Sequence, residues 1–203
     1  MKIFCVGRNY VDHAKELNNA VPSEPVIFMK PPTALLRNGN PFYIPDISDD
    51  IHYEAELIVK ISKNGKHIDK EFARNYYDEI TLGIDFTARD IQADLKKKGL
   101  PWELAKGFDF SAGVGTWIPF ISEMKNSEID FRLDVNKNTV QHGNSRDMIF
   151  PTDDLIVFIS RYFKIQKGDL IYTGTPAGVG KVSAGDVLEG YIGDVKLFYC
   201  EIR

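Results

Sequence analysis

Two glutamates and an aspartate are the residues of this chain best suited to chemistry. Glu54 and Glu56 lie two residues apart in His52-Tyr53-Glu54-Ala55-Glu56-Leu57, and Asp85 follows 29 residues after Glu56. Three carboxylates brought together, with no cysteine or histidine cluster beside them, favour a hard divalent cation such as Mg²⁺ or Mn²⁺. Three such ligands leave roughly three positions of a six-coordinate ion for water or substrate. Metal-assisted catalysis needs that open half.

The acids need a frame. Tyr53, Ala55, Leu57, Val59 and Ile61 alternate with Glu54, Glu56 and Ile58. A period of two predicts one strand over 53–62, with both glutamates on one face about 7 Å apart. A surface strand would show such a pair to water. Two features oppose that reading. Ile58 continues the acidic face, and Asp85 ends the apolar run 80–84, where a lone charge is costly. A shared cation answers both, because carboxylates held close repel unless neutralised.

Other residues supply proton transfer and recognition. His13 and Glu16 are spaced i, i+3, so a helix presents them on one face. Glu16 would orient the imidazole and His13 would take a proton from water. Arg8, just upstream, suits bidentate binding of a substrate carboxylate or an ordinary salt bridge. Lys106 follows Trp102-Glu103-Leu104-Ala105, beyond the helix that Asp85 introduces, and could stabilise an anionic intermediate. Lys30 ends an apolar strand before Pro31, and solvent exposure is open for both lysines. Residues 173–180, Thr-Gly-Thr-Pro-Ala-Gly-Val-Gly, lack the Gly-Lys-Ser/Thr ending of a phosphate loop. Their amides, with the hydroxyls of Thr173 and Thr175, could still hold a carboxylate. Gln141 suits ligand contact or packing support equally. His52 and His142 are structural or supporting candidates, and His67 has no assigned role.

The positioning elements are strands over 2–7, 24–29, 129–136, 170–173 and 195–201, and helices over 10–18 and 70–77. A third helix opens at Thr87 as N-cap, with Asp90 completing a weak capping box, and closes at Gly99 and Pro101. Its apolar stripe is Ile91 and Leu95. Lys96-Lys97-Lys98 reads as its solvated end, where cations suit the dipole. A fourth helix is capped by Thr152, with Leu155, Phe158, Ile159 and Tyr162 as its apolar face. Many strands separated by glycine turns predict a mixed, mainly β fold, one domain over 1–203.

Composition narrows the class. The chain is 43% hydrophobic and 27% charged, which is the balance of a folded domain. A net charge of -4 without a basic patch gives no reason to expect nucleic acid as a partner. No apolar run approaches the roughly 20 residues of a membrane helix. The opening Met1-Lys2-Ile3-Phe4 lacks a secretory segment. A cytoplasmic protein with Cys5 and Cys200 reduced is the expectation, although a pair across adjacent strands is open.

Several stretches resemble the fumarylacetoacetate hydrolase family. They are Gly7-Arg8-Asn9-Tyr10 with His13 and Glu16, Phe28-Met29-Lys30-Pro31, Tyr53 to Leu57, residues 83–92, residues 99–106 and residues 173–180. The similarity runs in order through nearly the whole chain and is strongest to short, single-domain acylpyruvase and oxaloacetate decarboxylase members. It implies a rolled β-sandwich like that family's C-terminal domain, with peripheral helices, in a homodimer. It implies Glu54, Glu56 and Asp85 as Mg²⁺ or Mn²⁺ ligands and His13-Glu16 as a dyad on a lid that orders over substrate. It implies substrate contacts from Arg8, Lys106, Gln92 and Thr175, and Lys30 in the pocket wall.

The resulting expectation is metal-dependent C–C hydrolysis of acylpyruvates, decarboxylation of oxaloacetate, or both, with a small 2-oxo acid as substrate. An isomerase or decarboxylase of 2-hydroxy-dienedioates is the alternative within enzymes. A metal-stabilised binding or structural protein is the alternative outside them, and it predicts closed coordination with His13 far away.

Overall fold

The alternation around Tyr53 does produce extended chain, but in two pieces. The computed structural model describes residues 1–17, 20–120 and 128–203. Its strands are β1 Ile3–Gly7, β2 Val26–Lys30, β3 Leu35–Arg37, β4 Ile51–Tyr53, β5 Ala55–Ile61, β6 Tyr77–Asp85 and β7 Thr87–Ala88. Then come β8 Ala112–Val114, β9 Ile118–Pro119, β10 Asp130–Val135, β11 Asn138–Asn144, β12 Leu170–Tyr172, β13 Gly180–Lys181, β14 Val187–Ile192 and β15 Val195–Glu201. The α-helices are α1 Val11–Glu16, α2 Lys70–Ala73, α3 Arg89–Lys98, α4 Glu103–Lys106 and α5 Thr152–Tyr162. The expected reach of the first helix to Asn18 lies outside the described residues.

Among the described residues the strands form three sheets. The largest runs β2-β1-β12-β5-β6-β8-β3, with β9 beside β6. It is antiparallel except where β1 meets β12 and β3 meets β8. A four-stranded sheet runs β11-β10-β14-β15, and a small one runs β13-β4-β7. The result is a mixed, mainly β fold, with curled sheet and peripheral helices.

Both faces of β5 are covered. Leu57, Val59 and Ile61 pack with Ile80, Leu82, Phe131, Leu155 and Ile159. Ile58, on the acidic side, packs with Ile3, Cys5 and Tyr172. The glutamates beside Ile58 therefore cannot face bulk water. A Leu57→Ala change would cost about 2–5 kcal/mol. Gly83 keeps β6 close to β8: any Cβ there would collide with the Gly113 carbonyl. Cys5 and Cys200 are buried and unpaired, on different sheets.

Four local expectations change. The strand over 53–62 breaks at Glu54. The helix over 70–77 shortens to α2 and a 3₁₀ turn, because Tyr77 already pairs with Ile61 in the large sheet. Thr87 is not an N-cap. It lies in β7, α3 starts at Arg89 after Ala88, and the Asp90 carboxylate accepts from Ser48 Oγ at 2.5 Å. Thr152 is the first helical residue of α5, after Pro151, and no side chain caps that end. The buried face of α5 is Leu155, Ile156 and Ile159; Tyr162 is 64% exposed. Gly99 does end α3, in the left-handed conformation with φ 64°.

Candidate metal centre and its cleft

Two neighbouring strands leave the large sheet at the same level. β5 pairs with β6 up to Ala55 opposite Ile84. Just beyond, β4 and β7 pair with each other in the small sheet, Ile51 with Ala88 and His52 with Thr87. Glu54 and Asp85 sit at this crossing, and the Asp85 amide donates to the Glu54 carbonyl at 2.8 Å. The break turns Glu54 away from strict alternation. Carboxylate oxygens of Glu54, Glu56 and Asp85 consequently come within 4.8 Å of one another. All three are buried.

Cations compensate two of the three. Lys106 Nζ donates to Glu54 Oε2 at 2.7 Å, Asp85 Oδ2 at 2.7 Å and Thr87 Oγ1 at 2.6 Å. An ammonium has three donors, so Lys106 is saturated. Thr87 is held by this contact, which is why its hydroxyl does not cap α3. Arg89 donates to Glu54 Oε1, and its Nη1 donates to Gln92 Oε1 at 2.7 Å. Among the described residues Glu56 receives only the Gly174 amide, at 2.6 Å on Oε2. Gly174 adopts φ 99°, and a Cβ there would stand 2.6 Å from Asn9 Cβ, so the residue type permits this approach.

The electrostatics follow from that imbalance. Burial opposes ionisation of Glu54, but Lys106, Arg89 and His13 outweigh it and hold its carboxyl below the usual range. Burial, then Asp85 and Glu54, pushes Glu56 well above the usual range. Burial works against the Lys106 ammonium, yet Asp85 and Glu54 prevail and raise its pKa.

The donor set suits a divalent cation. Three oxygen-bearing side chains converge, and among the described residues Glu56 has no ion-pair partner and Asp85 Oδ1 no hydrogen-bond donor. Lys30 Nζ is 2.7 Å from that oxygen, an ion pair without hydrogen-bond alignment. It donates to the carbonyls of Phe86, Lys106 and Ser111 and to Ser111 Oγ. The short reach from the end of β2 to Asp85 draws its ammonium inward.

The acids line a cleft together with Arg8, His13, Arg89, Gln92, Lys106 and Thr175. His13 comes from α1, with Nδ1 3.3 Å from Glu16 Oε2. Glu16 Oε1 accepts from the Gly178 amide at 3.0 Å, which ties α1 to the 173–180 loop. Burial lowers the His13 pKa below the ordinary histidine value; Glu54 and Glu16 oppose that in part. Gln141 is a support: it accepts from the Ala55 amide at 2.9 Å and donates to Thr175 Oγ1 at 2.8 Å. His52 bonds Asp50, while His142 and His67 are exposed.

Sequence reasoning missed Arg89 and Lys96. Arg89, Gln92 and Lys96 fall at i, i+3 and i+7, one helical stripe that turns into the cleft. The same stripe was legible beside Ile91 and Leu95, but the three-lysine run masked it. Trp102 also lines the cleft, with the Arg8 guanidinium 5.8 Å from its ring centre.

Comparisons with known proteins find relatives over nearly the whole chain. Residues 2–198 match the profile of the fumarylacetoacetate (FAA) hydrolase C-terminal family. The mitochondrial oxaloacetate decarboxylase of Dictyostelium discoideum is 43% identical over 189 residues, 93% of this chain and 87% of that protein. The mitochondrial oxaloacetate tautomerase of Mus musculus is 42% identical over 193 residues, 95% of this chain and 87% of that protein. The crystal structure of fumarylpyruvate hydrolase from Pseudomonas aeruginosa, in complex with Mn²⁺ and pyruvate, aligns with a TM-score of 0.93 at 32% identity. That alignment covers 100% of this chain and 89% of the other.

Proposed function

The chain belongs to the fumarylacetoacetate hydrolase family, among its acylpyruvase- and oxaloacetate decarboxylase-like members, and on that premise we propose a divalent-metal-dependent enzyme of small 2-oxo acids. Its reactions are hydrolytic C–C cleavage of acylpyruvates and decarboxylation of oxaloacetate. The observation that carries this reading is the convergence of Glu54, Glu56 and Asp85 in one cleft with His13.

Glu54, Glu56 and Asp85 would hold Mg²⁺ or Mn²⁺. When bound, the cation supplies a Lewis acid for the carboxylate and keto oxygens of a 2-oxo acid. The remaining work falls to side chains. The bond to Glu16 favours the proton on His13 Nδ1 and leaves Nε2 with a lone pair. Nε2 then takes a proton from water as that water attacks the distal carbonyl of an acylpyruvate. The C–C bond breaks, and its electron pair goes to the pyruvate enolate. In oxaloacetate, loss of CO₂ gives the same enolate without a water nucleophile. Lys106 acts through its charge, because its three donors already serve Glu54, Asp85 and Thr87. Arg8, Gln92 and Thr175 line the cleft where they would orient substrate.

A second reading is oxaloacetate tautomerisation, favoured by the name of the Mus musculus relative. It needs the four-carbon enolate of oxaloacetate itself, formed as His13 takes a proton from C3 and reprotonated on carbon or oxygen, with no carbon–carbon bond broken. We further propose a homodimer in the cytoplasm, which solution mass and cell fractionation test. Among the described residues no helix is long and apolar enough to cross a membrane.

The deciding experiment is an Mn²⁺- or Mg²⁺-dependent assay of acetylpyruvate, fumarylpyruvate and oxaloacetate, with CO₂ release and enol absorbance followed separately. Turnover abolished by a chelator is expected. No metal-dependent change in any of the three acids would remove the enzyme reading and favour a metal-stabilised binding protein.

A further inference from the structure

We propose that Gln141 is a positioning residue for both halves of the centre. It holds β5 and the 173–180 loop in one frame, so that amides of the loop reach Glu56 and Glu16 together. This rests on the reading above, in which Glu56 ligates the cation and Glu16 orients His13.

Gln141 comes from a different sheet than the acids. It lies in β11, at the edge of the four-stranded sheet. The register of β10 against β11 steps between Leu133, opposite Gln141, and Asp134, opposite Thr139. Val140 is therefore the extra residue of a β-bulge, a feature that bends a strand and re-aims its side chains. Gln141 is 1% exposed. Its Oε1 accepts from the Ala55 amide at 2.9 Å, and its Nε2 donates to Thr175 Oγ1 at 2.8 Å and to the Pro176 carbonyl at 3.0 Å. An N–H on one side and a carbonyl on the other fix which end of the amide is which, and both Nε2 donors are spent.

Each contact completes something that the backbone leaves open. β12 pairs with β5 through Tyr172 opposite Ile58, and the Thr173 amide and hydroxyl then both donate to the Leu57 carbonyl. Ala55 lies past the end of that pairing, between the two glutamates, and Gln141 supplies the acceptor for its amide. On the other side the loop turns at Gly174 and wraps the glutamine. A Cβ at Gly178 would stand 2.3 Å from the Val140 carbonyl and 3.3 Å from Gln141 Cγ, so a glycine at φ 98° permits that close seat. The two ends of the wrapped segment carry the amides that matter: Gly174 donates to Glu56, and Gly178 donates to Glu16. Asn9 Nδ2 fastens the start of the loop through the Thr173 carbonyl at 2.7 Å, which leaves Gln141 to hold its middle. One buried side chain thus sets a ligand of the cation and the orienting partner of the base in fixed relation.

The test compares wild type with Gln141→Met, Gln141→Asn and Ser160→Ala. Ser160, on α5, is the control: it too is buried, and its hydroxyl accepts from the Ile68 amide at 2.9 Å. Three readouts are taken on the full chain: Mn²⁺ Kd by calorimetry, stability in urea, and hydrogen exchange of the Gly174 and Gly178 amides without metal. Loss of an outer partner predicts that Gln141→Met weakens Mn²⁺ binding about 10- to 100-fold. Exchange at both glycines should quicken about 10-fold, as expected for one lost hydrogen bond that opposed local opening. Gln141→Asn keeps the amide but is one methylene short, and should show both losses in a chain that still folds. Ser160→Ala should lose stability and leave the Kd and both exchange rates unchanged. A loss of stability with unchanged Kd in both Gln141 variants overturns the proposal, as does faster exchange at only one of the two glycines. If the wild type binds no Mn²⁺, the metal reading fails, and the exchange rates still decide the role of Gln141.

Discussion

The amide of Asp85 donates to the carbonyl of Glu54 at 2.8 Å, at the point where their strands pass from the large sheet to the small one. This backbone bond joins two of the three acids before any side chain acts. The third, Glu56, sits two residues along on β5, with Gly174 as its protein donor. The centre is thus a property of the sheet crossing, and its chemistry depends on how the surrounding cations divide among the acids.

Glu56→Gln separates metal binding from folding. Among the described residues the side chain has no ion-pair partner to orphan, so the metal-free variant should melt at or above the wild-type temperature. Saturating Mn²⁺ at ~100 times Kd should stabilise the wild type by about 2.7 kcal/mol. The variant should lose this shift, with affinity reduced at least ~100-fold, more than outer partners alone contribute. Thermal melts with and without Mn²⁺ measure both quantities. A full Mn²⁺ shift in the variant would remove Glu56 from the ligand set.

Lys30→Met tests the layer beneath. It deletes one member of a buried ion pair with Asp85 and leaves Ser111 and the Phe86 carbonyl without their donor. Breaking such a pair costs about 3–5 kcal/mol. Urea unfolding should show that loss. A change below ~1 kcal/mol would mean that Lys30 is dispensable to the site's framework.

His13→Ala should reduce kcat for acylpyruvate hydrolysis about 10²- to 10⁴-fold, with a smaller effect on Mn²⁺ affinity. Parallel losses in rate and affinity would contradict a proton-transfer role.

The pH dependence has a definite direction. Burial keeps His13 neutral below the ordinary histidine value of 6.5. The acid limb of the rate profile should therefore lie below 6.5. Stability that depends on neutral His13 is complete above that value and is lost as pH falls through the lower folded pKa. His13→Gln should flatten this loss in acid denaturation. An acid limb at or above 6.5 would show that His13 is not the titrating base.

Glu16→Gln offers a finer check. Glu16 raises the His13 pKa through their hydrogen bond, so its neutralisation should move the acid limb further down while lowering the rate. The amide can still accept from Gly178, which preserves the docking of α1. A limb that stays in place would break the proposed coupling.

Much of this was written locally. Alternation marked β5, glycine marked the end of α3, and residue type marked Glu54, Glu56 and Asp85 as hard-cation ligands, because those signals depend on side chains a few positions apart. Three-dimensional packing decided the rest. Continuous alternation would have kept Glu54 and Glu56 about 7 Å apart on a flat strand; pairing β4 with β7 in a second sheet bent the chain at Glu54 and closed the trio. Thr87 has the chemistry of a helix cap, yet Lys106, 19 residues on, claimed its hydroxyl. Lys96 shares its composition with Lys97 and Lys98, and only the face that α3 turns to the cleft separates them. Residue types are local facts, whereas the partner each charge meets is set by contacts distant in the chain.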